Sequence, residues 1–243
     1  TPEKERSQFK ANEKRDRYSV EDLNKMFRHH DYINGTFEYS FQFWLPLLGV
    51  FTGARLDELC QINPTDGIKQ SKEGIWYMEI KKNDEGKGIK TMAGIRNVPI
   101  HTQLIKLGFL EYVESQRQRK ETLLFPELRN NRKDKKLYPK ASRWFNDVFK
   151  QELGIQSVAT KKNRNEKKLD FHSFRATFID TAKQLSIALS KVHEVVGHSD
   201  ERGVTGIYEE SYSIDILFHD VIEKIQYDGL DLSGIEKNRY NKK

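Results

Sequence analysis

The chain has 243 residues, of which 36% are hydrophobic and 11% aromatic, enough for a core in one large domain or two small ones. Lysine and arginine outnumber aspartate and glutamate by 42 to 36, and the net charge of +6 fits a nucleic-acid partner without requiring one. A single cysteine, Cys60, excludes an intrachain disulfide, and no apolar run approaches the ~20 residues of a membrane helix. We therefore expect a soluble, cytoplasmic protein without a membrane partner.

The N-terminal part of the chain predicts a linker followed by two helices. The first eighteen residues are polar and charged, as in an interdomain linker. Ser19 is an N-cap residue before an acidic first turn, so a helix is predicted over residues 19–27. A mostly apolar helix is predicted from Tyr39 to Thr52, where Gly53 ends it.

The middle of the chain predicts a β-hairpin and then more helices. Segments 75–81 and 95–100 mix β-branched and aromatic residues on either side of a glycine-containing turn, which favours two paired strands. Further helices are predicted at about 102–118, 141–153, 172–185 and 213–225. The predicted fold class is therefore α+β, mainly α-helical, with a small antiparallel sheet.

Three basic clusters interrupt this pattern, at residues 115–120, 129–136 and 160–168. We interpret the second and third as loops or helix ends that face a DNA backbone, where they would add affinity but little sequence specificity. The third cluster leads directly into the LDFHSFR string at 169–175, so we expect it close to the functional site.

Four strings carry the chemistry: TGARLDEL (52–59), KTMAGIRNVPIH (90–101), HSFR (172–175) and GHSDERGVTGIYEES (197–211). Their order and spacing resemble the tyrosine recombinase, or phage integrase, family over nearly the whole chain. The resemblance implies a catalytic domain at 19–227 whose hairpin carries a catalytic lysine, between a linker remnant at 1–18 and a polar tail at 228–243. It also implies a fragment of a longer integrase, with a DNA-binding domain preceding this one.

Six catalytic residues follow from the resemblance: Arg55, Lys90, His172, Arg175, His198 and Tyr208. The two arginines would clamp the phosphate, since a planar guanidinium holds two oxygens at once. Tyr208 would attack phosphorus and Lys90 would protonate the leaving 5′ oxygen. His172 would assist proton transfer, and His198 would hydrogen-bond a phosphate oxygen.

Two of these assignments have a rival in the sequence. Lys87 lies in the same long hairpin as Lys90 and is the alternative general acid. Tyr212 follows Tyr208 by four residues, but the distance from His198 favours Tyr208, and Tyr212 is interpreted as a packing residue.

The implied function is site-specific DNA recombination through a 3′-phosphotyrosyl intermediate, for phage or genomic-island integration and excision. The implied partners are double-stranded attachment-site DNA, other protomers in a tetramer, DNA-bending accessory proteins and an excisionase. Neither a cofactor nor a metal is expected, because His29 and His30 are adjacent and the other histidines lack ligand partners at metal spacing. The alternatives are a type IB topoisomerase-like nicking-closing enzyme and a catalytically silent DNA-binding regulator.

The last predicted helix, at 213–225, has an apolar stripe that leaves two arrangements open. The stripe either packs on the core of its own chain or, as in relatives, docks on a neighbouring protomer. The tail after Tyr227 is polar, which is typical of a mobile segment.

Overall fold

A computed structural model describes residues 16–81, 95–129, 136–156, 168–197 and 211–235. The helices are α1 (Val20–Phe27), α2 (His30–Ile33), α3 (Ser40–Thr52), α4 (Leu56–Cys60), α5 (Thr102–Lys106), α6 (Phe109–Gln118), α7 (Tyr138–Arg143), α8 (Lys150–Glu152), α9 (Ser173–Gln184), α10 (Leu189–Val196) and α11 (Ile214–Leu217). The strands are β1 (Ile68–Gln70), β2 (Trp76–Lys81) and β3 (Ile95–Pro99), in one antiparallel sheet. The predicted α+β, mainly helical fold class is confirmed.

Helix α3 is the centre of the core. From Phe41 to Thr52 every residue except Gln42 is buried, so the helix has no polar face. Gly53 ends it with a φ of 62°, a left-handed conformation that residues with a side chain rarely adopt. A Cβ at Gly53 would lie 3.0 Å from Val196 and 3.1 Å from Phe178, so α9 and α10 both approach this turn closely. The predicted end of this helix is confirmed.

The sheet has β2 in the middle, between β1 and β3. Met78 pairs with Val98, and Ile80 pairs with Arg96. Met78, Ile80 and Val98 are fully buried, so this face of the sheet is turned toward the core. The three-residue strand β1 was not predicted because it is too short to show alternation. Residues 82–94, which include Lys87 and Lys90, lie outside the described ranges.

Two predicted helices have different limits in the structure. The helix expected at 102–118 is two helices, because Gly108 adopts a φ of 91° between α5 and α6. The helix expected at 141–153 begins earlier, at Tyr138 with Pro139 in its first turn, and passes through a π-helical segment, Trp144–Phe149, into α8.

The end of the predicted linker is packed rather than free. Tyr18 is 3% exposed, and its backbone N–H donates to Oγ1 of Thr177 at 2.8 Å. Its hydroxyl donates to the carbonyl oxygen of Asp170, also at 2.8 Å. Tyr18 is thus held against α9 and the turn before it, and the limits of the linker stay a prediction.

The predicted mobile tail is also packed as far as the structure describes it. The Asn24 side chain donates to the carbonyl oxygen of Gly229 at 2.8 Å and accepts from the backbone N–H of Asp231 at 2.9 Å. Ile235 is 5% exposed. The part of the tail through Ile235 therefore belongs to the folded domain, which corrects the expectation of mobility there.

The last helix packs on its own chain. It begins at Ile214 and continues as a π-helical segment, Phe218–Ile222. Its stripe residues Leu217, Val221, Ile222 and Ile225 are all buried. Of the two arrangements left open by the sequence, the structure has the one within the same chain. None of the helices in the described ranges is long and apolar enough to span a bilayer.

Candidate active site

Arg175 occupies the third position of α9 and is 2% exposed. Its Nη1 donates to the carbonyl oxygen of Gly53 at 3.0 Å and to that of Val196. Its Nε and Nη2 are buried and have no hydrogen-bond partner in the part of the chain that the structure describes. These two nitrogens form one edge of the planar guanidinium, the edge that binds two anionic oxygens side by side. Since buried donors without a partner are costly, this edge is suited to an anion from outside the described chain.

Arg55 stands at the N-cap of α4, two residues after the carbonyl that Arg175 binds. Its backbone N–H donates to Oε2 of Glu58 at 2.8 Å, and its Nη1 donates to Oε1 of the same carboxylate at 2.9 Å. The Arg55 side chain is 36% exposed, so it is the accessible one of the two arginines. The hydrogen bond from Arg175 to Gly53 holds the two in one site.

A third arginine, Arg96 of β3, belongs to the same cluster. Its Nη1 and Nη2 donate to the two oxygens of Glu58 at 3.0 Å and 2.7 Å. Its Nε donates to the carbonyl oxygen of Val195 at 2.9 Å. The cluster therefore contains three guanidinium groups around the single carboxylate of Glu58.

The pKa values reflect this crowding of charge. Burial lowers the pKa of Arg175, and the charges of Arg55 and Arg96 lower it further, against the attraction of Glu58, to about 9. Burial alone would raise the pKa of Glu58, but the hydrogen bonds and charge of Arg96, with those of Arg55, outweigh it and bring it to about 2. Both groups are thus ionised at neutral pH, and the like charges around Arg175 favour binding of an anion.

His172 is the N-cap of α9, three residues before Arg175, so both lie at the start of the same helix. Its backbone N–H donates to Oδ1 of Asp170 at 2.9 Å, and the residue is half-buried. The structure thus places Arg55 and Arg175 in one cluster, and His172 lies at the start of the helix that carries Arg175, while the catalytic roles of all three stay predictions.

Lys90, His198 and Tyr208 lie outside the described residues, so their assignments stay predictions. Both described ends of the segment that carries His198 and Tyr208 lie on α10. Gly197 ends that helix with a φ of 70°, and the Tyr212 hydroxyl lies 3.2 Å from Oγ of Ser190. The backbone N–H of Tyr212 also donates to Oε2 of Glu194 at 3.3 Å. Tyr212 is nevertheless 37% exposed, so its interpretation as a packing residue stays a prediction.

Sequence reasoning missed Glu58 and Arg96, although both lie inside the strings singled out above. The signal for Arg96 was its alternation with Val98, which puts a charged side chain on the apolar face of a strand. A charge in that position needs a buried partner. Glu58 is that partner, and only the tertiary structure reveals it.

The two histidines at the start of α2 resemble a set of metal-ligating residues more than the sequence suggested. Ligand atoms of His29, His30 and Asp31 lie within 4.8 Å of one another. Ion-pair contacts within the group, and one of 3.3 Å between His29 and Glu152, account for these positions. The expectation of no metal site is not tested by this geometry.

The basic clusters fall mostly outside the described ranges. Residues 130–135 and 157–167 cover most of the second and third clusters, so their interpretation as DNA-facing loops stays a prediction. In the first cluster, Arg117 binds backbone carbonyls: its Nε donates to Pro64 at 2.9 Å and its Nη2 to Ile68 at 2.7 Å. This arginine has a structural role.

A model of the phage integrase family matches residues 19–213 of the chain. No curated protein matches the chain significantly. Among solved structures, the chain is similar to XerH site-specific recombinase bound to difH substrate in a pre-cleavage complex. The identity is 20% and the TM-score 0.48, over 75% of this chain and 47% of that one.

A second similar structure is a lambda integrase dimer bound to a COC′ core site. Here the identity is 14% and the TM-score 0.46, over 83% of this chain and 51% of that one. The chain thus spans about half the length of the proteins in these two structures.

Proposed function

The chain belongs to the phage integrase family, and we propose that it is a site-specific DNA recombinase that works through a covalent 3′-phosphotyrosyl intermediate. The observation that carries the proposal is the common site of Arg55 and Arg175, in which the Nε–Nη2 edge of Arg175 is unpaired among the described residues. We further propose that it serves the integration or excision of a phage or genomic island.

The two arginines suit a phosphodiester that is being cleaved. Phosphoryl transfer spreads negative charge over the non-bridging oxygens, so catalysis depends mainly on positioned cations. The free edge of Arg175 fits two oxygens of one phosphate, and the accessible Arg55 adds a second cation beside it. Because Arg175 is almost fully buried, its interaction with the phosphate is not screened by water.

In the proposed reaction the phenol oxygen of Tyr208 bonds to phosphorus as the bond from phosphorus to the 5′ oxygen breaks. His172 assists removal of the phenol proton, and Lys90 gives a proton to the leaving 5′ oxygen. His198 donates a hydrogen bond to a non-bridging oxygen. Rejoining is the reverse, with a 5′ hydroxyl as the nucleophile, so the bond energy is conserved and nothing is oxidised.

The course of the chain supports a nucleophile from the same protomer. Helix α10 ends at Gly197, beside the Val196 carbonyl that binds Arg175, and Tyr212 contacts the same helix again. The segment between these points carries His198 and Tyr208. Its two described ends therefore contact a helix that also binds Arg175. Arg55 and Arg175 together are the proposed phosphate clamp.

We propose double-stranded attachment-site DNA as the substrate and four protomers on two sites as the working assembly. DNA-bending proteins and an excisionase are the proposed accessory partners, and the cytoplasm is the proposed location. The excess of guanidinium groups over carboxylates in the cluster supports a polyanionic substrate.

Trapping of the covalent product tests this function directly. A nicked suicide duplex from the ends of the element that carries the gene is incubated with the protein, and a denaturation-resistant protein–DNA band is measured. Tyr208→Phe should abolish the band because it removes the nucleophile. Tyr212→Phe is the matched control, since Tyr212 is held on α10 and should leave the band intact.

The same assay separates the alternatives. A silent regulator would bind the duplex without forming the band, and that outcome would refute the proposed catalysis. A topoisomerase-like enzyme would also relax supercoiled plasmid that lacks an attachment site, whereas a strict recombinase should leave this plasmid supercoiled.

A further inference from the structure

We infer that Arg96 is a positioning residue for the phosphate clamp, acting through Glu58 and the backbone of α10 rather than on DNA. The inference rests on the proposed recombinase function, and it concerns a residue outside the six expected catalytic ones. It would explain how two arginines of like charge are kept in one site before a phosphate arrives.

All three guanidinium nitrogens of Arg96 are bound to protein. Nη1 and Nη2 donate to the two carboxylate oxygens of Glu58 at 3.0 Å and 2.7 Å, and Nε donates to the carbonyl oxygen of Val195 at 2.9 Å. The side chain is 10% exposed. A group so enclosed, with each nitrogen already donating, is poorly placed to bind a DNA phosphate.

The end of α10 is fitted closely to this guanidinium. Gly197 has a φ of 70°, and a Cβ there would lie 2.8 Å from Nη1 of Arg96 and 2.9 Å from its Cζ. The chain therefore turns out of α10 directly against Arg96. Any side chain at position 197 would displace the guanidinium.

These contacts connect Arg96 to Arg55 through the Glu58 carboxylate and to Arg175 through the backbone of α10. Glu58 accepts from Arg96 and from Arg55. Val195 accepts from Arg96, and the next carbonyl, that of Val196, accepts from Arg175. Arg96 thus links α4, β3 and α10, and it sets the position of each clamp arginine relative to the other.

Arg96 also neutralises most of the negative charge of Glu58. Arg55 holds Glu58 through one guanidinium nitrogen, whereas Arg96 holds both oxygens. Without Arg96, the cations left to neutralise the buried carboxylate among the described residues would be the clamp arginines. They would then be drawn toward Glu58 and away from the phosphate. Arg96 therefore leaves the clamp arginines available for the substrate.

Lysine at position 96 is the informative substitution. It keeps the positive charge but offers one point donor in place of the planar fork, so it cannot hold both Glu58 oxygens and Val195 together. Arg117→Lys is the matched control. Arg117 also uses its fork on two structural acceptors, the carbonyls of Pro64 and Ile68, and its side chain is 26% exposed.

The experiment measures single-turnover formation of the covalent product at saturating protein, together with DNA binding and thermal unfolding of each variant. For R96K we expect cleavage at least ~10-fold slower than for R117K, with DNA affinity within about 2-fold. The melting temperatures of the two variants should be similar. The double variant E58Q/R96K should be little slower than R96K alone, because the two residues act as one unit.

Four outcomes would overturn the inference. Cleavage by R96K as fast as that by R117K would show that the fork is dispensable. Equal losses of affinity and cleavage would show that Arg96 contacts DNA. If R96K does not fold, E58Q carries the test, and unchanged cleavage by E58Q refutes the inference. Wild-type protein without any covalent product would overturn the proposed function itself, and this inference with it.

Discussion

The Nη1 atom of Arg175 donates a hydrogen bond to the carbonyl oxygen of Gly53 across 122 positions of sequence, at 3.0 Å. Gly53 ends the central helix and lies two residues before Arg55. One hydrogen bond therefore fixes the TGARLDEL string relative to the HSFR string. The effects of substitutions near this contact follow from its geometry.

Arg175→Lys should reduce cleavage by roughly 100-fold or more, because lysine cannot present two donors side by side to the phosphate. Binding of DNA should weaken less than cleavage. Single-turnover trapping on the suicide duplex measures the effect. Arg143→Lys, at an exposed arginine of α7, is the control and should cleave at the wild-type rate. Equal rates for the two variants would contradict the clamp.

Gly53→Ala should destabilise the fold by more than the strain of its backbone alone. A left-handed conformation costs a residue with a side chain about 1 to 2 kcal/mol. Here the added Cβ would also press on Val196 and Phe178 at 3.0–3.1 Å. Gly154→Ala is the control, with a φ of 65° and nothing within 4 Å of the Cβ. Urea denaturation of both should show the larger loss at position 53, and equal losses would contradict the close packing there.

The stability of the protein should fall at acid pH because the Glu58 carboxylate becomes protonated. Its folded-state pKa of about 2 is below its ordinary 4.5. Its ionised form therefore stabilises the fold above pH ~4.5, and this contribution is lost as pH falls toward 2. The difference between these two pKa values corresponds to on the order of 3 kcal/mol in the free energy of unfolding.

Urea denaturation of wild type and Glu58→Gln between pH 2 and 7 measures this contribution. The variant should be less stable at pH 7, and the gap should close toward pH 2. Glu121→Gln, which removes an ion pair with the half-exposed Arg129, is the control and should show a much smaller gap. A gap that is independent of pH would argue against an ionised Glu58.

The last helix should be needed for the stability of the single chain. Leu217 is 1% exposed, so Leu217→Ala should cost about 2 to 5 kcal/mol. The neighbouring Ile216 is 37% exposed, and Ile216→Ala should change stability by less than about 0.5 kcal/mol. Urea denaturation of the two variants at several protein concentrations measures both changes in stability. Unchanged stability of Leu217→Ala, with altered assembly on DNA, would favour docking on a neighbouring protomer.

Local signals in the sequence were sufficient for most of the fold. Ser19 and Gly53 each mark a helix end, and the structure places a cap at both of them. The division at Gly108 was missed because a glycine inside an apolar pattern does not by itself reveal a left-handed conformation. The paired strands β2 and β3 were predicted from composition. The short β1 is identified only by its pairing with β2 in the structure.

The site was predictable only in part, since the family motifs name residues but not their partners. Arg55 and Arg175 were expected to meet, and the structure brings them into one cluster. The Glu58–Arg96 pair joins positions 38 apart, and sequence offers no rule for such a pairing. The carbonyls of Gly53 and Val196 as acceptors for Arg175 were equally beyond sequence reasoning, because every residue has a carbonyl.

The contact of Asn24 with Gly229 and Asp231 has a consequence for how the protein is made. These hydrogen bonds join positions 205 and 207 apart, so α1 acquires these two partners only after nearly the whole domain has been translated. Contacts so distant in sequence slow folding, because a long loop must close before they form. On the ribosome, α1 should emerge long before these two partners, and nascent chains stalled before residue 229 should expose the Asn24 side of α1 to proteases.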